Sequence, residues 1–323
     1  MANEVLYISR REVEEVDLPM PELIASLEGA FRMKGEGRLD MPPKPGIHTR
    51  GDSFIHAMPA YLPDLDAAGM KWISGYPGNS EKGLPYITGL LILNDPDTGL
   101  PISVMDATWI TAKRTGAATA VAARHLAVED SDTVGIIACG VQGRGNLEAL
   151  SHAFDLSLAR AYDIDPGVAR CYAGEMGEKL GIEVEVAGSP REALSGAQIA
   201  VTSGPILKNP SPAIEAGWLE TGGFACPLDF DSYWKEDAFQ KVDKLATDDK
   251  GQMEHYREIG YFRNTPRPYA DLGEIVAGKA PGREGEDERT MCINLGLAME
   301  DIVAADLIYR EARRRNLGTE LPL

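Results

Sequence analysis

From Thr133 onward, short apolar runs alternate with helix-like stretches, and this alternation restricts the fold more than any other feature of the chain. TVGIIA (133–138) reads as a strand and GRGNLEALSHAF (143–154) as a helix. ARAYDID (159–165) is the next strand, and PGVARCYAGEMGEKLG (166–181) a helix opened by a proline and closed by Gly181. EVEVAG follows as a strand, then SPREALSGA as a short helix with Ser189 as its N-cap, then the strand QIAVTSG; GGFAC, KLATD and TMCINL are three further strands. Strands that alternate with helices require crossover connections and a mostly parallel sheet. The expected class is therefore α/β, with a Rossmann-type doubly wound parallel sheet.

Residues 1–130 read differently. The strand VLYIS and a helix around PELIASLEGAFRMKGEG precede a β-rich stretch of SFIHAMPAYL, GMKWISGYP, YITGLLILND and PISVMDA. NDPDTGLP places turn residues between the last two, which predicts a hairpin. The Ala-rich ATWITAKRTGAATAVAARHLA is a long helix, and LGLAMEDIVAADLIYREARRRNLG a final one with Leu297, Ile302, Ala305 and Ile308 as its apolar positions. A length of 323 residues accommodates two domains of roughly 150 residues each.

Composition narrows the partners. With 50 acidic against 32 basic residues the formal net charge is −18, a field that disfavours nucleic acid and anionic membranes. No run reaches the roughly 18 apolar residues of a membrane span, and the start, MANEVLYISRREVEEV, lacks a signal-type apolar core. A cytoplasmic protein is expected. Cys139, Cys171, Cys226 and Cys292 are too widely spaced for a metal knuckle and read as free buried thiols; the histidines His48, His125, His152 and His255 are scattered, and no metal site is expected.

The segment after the first of these strands reads Ala138-Cys139-Gly140-Val141-Gln142-Gly143, a G-x-G-x-x-G dinucleotide turn with alanine at its first position. Alanine fits there if its φ is negative. The second and third glycines allow close approach of a pyrophosphate and of helix to strand, and the helix N-terminus offers N–H groups to phosphate. Asp163, 20 residues beyond Gly143, ends the next strand where a carboxylate accepts from the adenosine ribose. No basic residue stands beside it for a 2′-phosphate, which favours NAD over NADP, with NADP left open. Gly140, Val141, Gln142, Gly143 and Asp163 are the expected cofactor contacts, joined by Ser203 and Leu295 at later strand ends. Cys139 inside the turn predicts a cofactor site sensitive to alkylation.

MKWISGYPGN (70–79) and GLLILNDPDTGLPISVMDATWITAKRTGAATAVAARHLA (89–127), with VGIIACGVQ, YDIDP and NLGLAMED, resemble the ornithine cyclodeaminase/μ-crystallin family over most of the chain, from Met41 to Asp301. The resemblance implies an α+β substrate-binding and dimerisation domain (1–128, completed by the C-terminal helix 297–323), a Rossmann domain (129–296), and a homodimer. It also implies an NAD(P)-dependent amino-acid dehydrogenase or cyclic imine reductase working at the α-carbon of an amino or imino acid. A cyclodeaminase using NAD catalytically and a non-catalytic NAD(P)H-binding protein are the alternatives.

The family's lysine matches Lys71, expected to bind the substrate carboxylate or polarise its carbonyl. Its arginine matches Arg114, whose planar fork suits bidentate capture of that carboxylate. Thr115 and Gly116 are expected near the cofactor phosphates, and Lys44 supplements carboxylate binding. The family's aspartate matches Asp231, expected to hold the substrate amine and trade a proton with it, with Asp229 as the register alternative. Structural readings stand beside these: Arg114 as an ion pair with Asp106, and Asp231 as the N-cap of SYWKEDAF. Cyclodeaminases carry a glutamate two residues before an M-P dipeptide; IHAMPAY has His56 there, which counts against ornithine cyclodeamination. His56 and Met58 are expected to line the substrate pocket.

Overall fold

A computed structural model describes residues 4–323, apart from the Ser80 side chain, and divides into two compact units. One comprises the chain up to Arg114 together with Leu297–Leu323; the other is Thr115–Gly296. Among the described residues no helix is long and apolar enough to cross a membrane, and no group of His, Cys, Asp and Glu is arranged to hold a metal ion.

The first unit is built on a seven-stranded sheet, in the order Thr319–Pro322, Glu4–Ile8, Pro101–Asp106, Ile87–Asn94, Ala67–Gly75, Phe54–Leu62, Gly46–Ile47. Its four central strands are antiparallel neighbours, as alternating sequences with short connections require. NDPDTGLP forms the expected turn: Asp95 Oδ1 accepts from the N–H groups of Asp97 (2.8 Å) and Thr98 (3.1 Å), and Gly99 takes the left-handed φ of 72°. Strand register aligns Met58, Lys71, Leu91, Met105 and Ile8 in one row across the sheet, all buried. The helices Met20–Glu36 and Ala298–Arg315 pack on each other, and the latter also packs on the sheet. A row on the opposite face carries Trp72 directly beside Leu90, 44% and 45% exposed. Among the elements not expected are the helix Arg10–Val16, started by a Ser9–Glu12 capping box, the short strand Gly46–Ile47, and the strand Thr319–Pro322, which pairs with Glu4–Ile8.

The second unit is an eight-stranded sheet whose neighbours are all parallel, in the order Ala270–Asp271, Lys244–Thr247, Thr290–Ile293, Phe224–Pro227, Ile199–Thr202, Thr133–Ile137, Leu158–Tyr162, Glu183–Val186. The chain runs outward from Thr133–Ile137 and then returns to its other side with Ile199–Thr202, so the strand order reverses at that strand, as in doubly wound sheets. Gly181 and Ser189 cap their helices as expected.

The units meet inside the helix Thr108–Leu126, at Arg114 and Thr115, not after it at residue 128. Arg114 is tied to the C-terminal segment of the first unit, whereas Gly116 packs on the backbone of Gly145 in the second. The expected boundary is corrected accordingly. Cys171 is exposed, which corrects the reading of all four thiols as buried; Cys139, Cys226 and Cys292 are buried, and none of the four is bridged.

Candidate functional site

Lys71 sits on the strand Ala67–Gly75 with 1% of its side chain exposed, at a depth where a lysine requires partners. Its Nζ lies 2.7 Å from Asp301 Oδ1 and 3.4 Å from Thr111 Oγ1. The Thr111 hydroxyl donates to Ala107 O (2.7 Å), which turns its lone pairs toward the lysine. Arg114, on the helix Thr108–Leu126, places Nη1 2.5 Å from Glu300 Oε2 and Nε 3.0 Å from the same Asp301 oxygen that holds Lys71. Two cations and two carboxylates thus share one buried cluster. Among the described residues, Glu300 Oε1 and Asp301 Oδ2 are buried with no hydrogen-bond partner.

Burial, then the Arg114 charge, pushes the Lys71 ammonium down to about 7 against the pull of Asp301, and Lys44 lowers it further. Burial also raises the Glu300 carboxyl, although Arg114 opposes it. Met58 faces Lys71 across the strand pair, and His56, two residues earlier on the same face, stacks on Phe54 at 4.4 Å. Lys71 and Arg114 thus share Asp301, Met58 stands opposite Lys71, and the Lys44 charge acts on Lys71. Arg114 Nη1 is engaged by Glu300, and its Nε stands near Asp301 as an ion pair. The reading of Arg114 as an ion pair with Asp106 is corrected: that carboxylate instead starts the helix by accepting from Thr108 N (2.9 Å) and Thr108 Oγ1 (3.1 Å).

Glu300 and Asp301 escaped the sequence reading. Their signal is two adjacent acids inside LGLAMEDIVAA, an otherwise apolar stretch. Acids enclosed by Met299, Ile302 and Val303 must be buried, and buried acids need cations.

In the second unit the turn after Thr133–Ile137 is held by Asp163, whose Oδ2 accepts from Cys139 N (2.9 Å) and Oδ1 from Asp165 N (3.0 Å). Ala138 has a φ of 74°, not the negative value expected, so its Cβ is accommodated in the left-handed region at a cost. Ser203 braces the same turn, its Oγ 3.0 Å from Ala138 O and its N–H 3.0 Å from Ile137 O. A Cβ at Gly143 would stand 2.5 Å from Ala138 O, which is why the helix approaches its strand only with glycine there. A Cβ at Gly140 would meet nothing within 4 Å, and the helix Val141–Ala153 that it caps has no side-chain cap.

That arrangement fits a dinucleotide: an uncapped helix N-terminus beyond an open glycine face, with a carboxylate at the next strand end. Gly140, Val141, Gln142 and Asp163 are the residues that would hold NAD. Each Asp163 oxygen retains a second lone pair for ribose hydroxyls. Leu295 is buried and anchored through its N–H to Asp248 Oδ2 (2.7 Å). Gly116 is turned toward the Gly145 backbone, with 2.2 Å between its would-be Cβ and Gly145 O; helix packing explains the glycine. Cys139 is buried and its thiol pushed up to about 12 by burial and by Asp163, which corrects the expectation of an alkylation-sensitive turn.

Phe230, with a φ of 62°, separates two acids of different character. Asp229 is fully buried and accepts from Thr202 Oγ1 (2.8 Å) and Gly204 N (3.0 Å); burial raises its carboxyl to about 7. Asp231 is half-buried, raised by burial, accepts from Thr265 Oγ1 (3.2 Å), and lines a cavity of about 280 Å³ with Lys208, Trp234 and Arg263. It is not a helix cap, since the short helix Glu236–Phe239 is preceded by Lys235.

A sequence model described as the ornithine cyclodeaminase/mu-crystallin family matches residues 4–316. Alanine dehydrogenase of Archaeoglobus fulgidus is 36% identical over 98% of both chains. Among solved structures, Delta(1)-pyrroline-2-carboxylate reductase of Thermococcus litoralis, in complex with NADH and L-proline, is similar with a TM-score of 0.89 and 35% identity, covering 98% of this chain and 100% of that one. An archaeal alanine dehydrogenase dimer with bound NAD gives a TM-score of 0.88 and 32% identity, over 99% of this chain and 100% of that one.

Proposed function

The chain belongs to the ornithine cyclodeaminase/mu-crystallin family, and from that premise we propose how its residues carry out its chemistry. It is an NAD-dependent oxidoreductase of amino or imino acids. The reaction is reduction of a C=N bond at the α-carbon, which gains a hydride at carbon and a proton at nitrogen, or the reverse. NAD(H), when bound, supplies or accepts the hydride.

The chain's own residues handle the proton and the carboxylate. Lys71 Nζ is the proton carrier: it gives a proton to the imine nitrogen in reduction and takes one from the amine in oxidation. The single observation behind this role is its burial beside Asp301 with an ammonium held at about 7, where both protonation states are accessible at neutral pH. Asp301 keeps Nζ aimed. Arg114 and Lys44 contribute positive charge for the substrate carboxylate, and Asp231 remains the candidate acceptor for the substrate amine. The four unbridged thiols fit a reducing cytoplasm.

Homodimerisation through the outer face of the seven-stranded sheet is part of the same proposal. The adjacent Trp72 and Leu90 expose large apolar side chains there. Trp72→Glu is expected to shift the sedimentation coefficient toward that of a monomer; an unchanged value places the interface elsewhere.

The function is tested by following reduced-nicotinamide absorbance with NADH and, in parallel, NADPH. The panel holds pyruvate with ammonia or methylamine and the five- and six-membered cyclic imino acids. NADH consumption with at least one of them is expected. No consumption, with ammonia released from ornithine or lysine instead, would overturn the redox reading in favour of cyclodeamination.

A further inference from the structure

The loop after the strand Phe224–Pro227 is bound to the loop after its neighbour Ile199–Thr202 along most of its length. Leu228 N donates to Thr202 O (2.9 Å), Thr202 Oγ1 and Gly204 N donate to Asp229, and Leu207 N donates to Ser232 Oγ (3.0 Å). Ala213 N and Ile214 N both donate to Tyr233 O (3.0 and 2.8 Å), and Trp234 Nε1 lies 3.3 Å from Thr202 Oγ1. The backbone of Tyr233 is therefore fixed from both sides.

Its ring lies against Gly204. A Cβ there would be 2.0 Å from the Tyr233 hydroxyl and 2.4 Å from Cζ. Gly204 is not among the glycines with positive φ, so the residue is glycine for room and not for conformation. The carboxylates acting on the phenol are Asp229 and Asp163, which stand at the ends of strands on either side of the central pair Thr133–Ile137 and Ile199–Thr202. The half-buried hydroxyl thus stands over the C-terminal ends of the central strands, the crevice in which doubly wound sheets take their ligands. None of the described residues hydrogen-bonds to it. Burial, followed by those two carboxylates, pushes the phenol up to about 12, so it keeps its proton and remains a donor.

We infer that Tyr233 is a cofactor-contact residue: its hydroxyl donates a hydrogen bond to an oxygen of the phosphate–ribose backbone of bound NAD(H), and Gly204 provides the space that seats its ring. The inference rests on the NAD reading given above.

The test is a titration of wild type, Tyr233→Phe and Gly204→Ala with NADH, followed by nicotinamide fluorescence without substrate. Tyr233→Phe keeps the ring and loses one hydrogen bond, so Kd is expected to rise about three- to tenfold. Gly204→Ala retains the hydroxyl but forces the ring off its seat, and weaker binding is again expected. If the wild type itself fails to bind NADH, the proposed function falls. If the wild type binds and either variant that folds binds equally well or more tightly, Tyr233 is a packing residue or an obstruction and the inference is overturned.

Discussion

Lys71 and Asp301 stand 230 positions apart in the chain and 2.7 Å apart in the fold, with 1% and 0% of their side chains exposed. A pair so deeply enclosed contributes little net stability against its desolvation cost, which points to chemistry as the reason for it. Replacing Lys71 with methionine preserves bulk and removes the proton carrier. Turnover is expected to fall by about 10²–10⁴-fold. Asp301 keeps the Arg114 Nε contact at 3.0 Å, so the stability loss should stay below the roughly 3–5 kcal/mol of an isolated broken buried pair. Steady-state kinetics and urea unfolding of Lys71→Met measure both.

The lowered Lys71 ammonium also sets a pH dependence. Reduction requires the protonated amine and oxidation the neutral one, so the reductive rate should fall and the oxidative rate rise through about pH 7. For stability, the unfolded lysine stays protonated up to about 10.5 while the folded one loses its proton at about 7. The unfolded state binds more protons across that window, so this group's contribution to stability rises with pH there, and its destabilisation is fully present below it. Asp229 titrates near the same pH, but Asp229→Asn should leave the opposed kinetic limbs in place. Lys71→Arg should abolish them. Rate profiles in both directions check this.

Ala138 carries a φ of 74° at the first position of the dinucleotide turn. Glycine relieves the Cβ conflict but gains freedom in the unfolded chain, so Ala138→Gly should stabilise by roughly 0.5–1 kcal/mol. Chemical denaturation measures it; destabilisation would mean that Ala138 is not strained.

Gly116→Ala should act in the opposite sense, because its Cβ would lie 2.2 Å from the Gly145 carbonyl oxygen. Backbone cannot move aside as a side chain does, and a loss of about 1–3 kcal/mol is expected. The same unfolding assay would show it, while an unchanged midpoint would contradict the close packing of the two helices.

Thiol labelling gives a simple check on the turn. Cys171 is the exposed cysteine and Cys139, Cys226 and Cys292 are buried. Native protein should take up maleimide at Cys171 alone, with Cys139 reacting only after denaturation; peptide mapping by mass spectrometry reads the sites.

What the sequence disclosed and what it concealed divide along physical lines. The turn at 138–143 and the acid at Asp163 were legible because strand, turn and helix are local, and each glycine there answers to its own neighbours. Arg114 and Lys71 were identifiable from their motifs, but their partners lie on a helix some 200 residues later, at Glu300 and Asp301, and no local pattern links them. The strand Thr319–Pro322 carries polar residues and pairs only at the sheet edge, so it lacks the alternation that marks a strand. Ala138 was legible as a residue but not as a conformation, since side-chain type does not reveal a φ that the surrounding turn imposes.

The most direct test of the account is transfer of deuterium from NADH deuterated at both C4 positions during reduction of a five- or six-membered cyclic imino acid. One deuterium is expected at the α-carbon of the amino acid for each NADH oxidised. Amino acid formed without label at that carbon, or no product while NADH stays bound and unoxidised across the full panel, would contradict it.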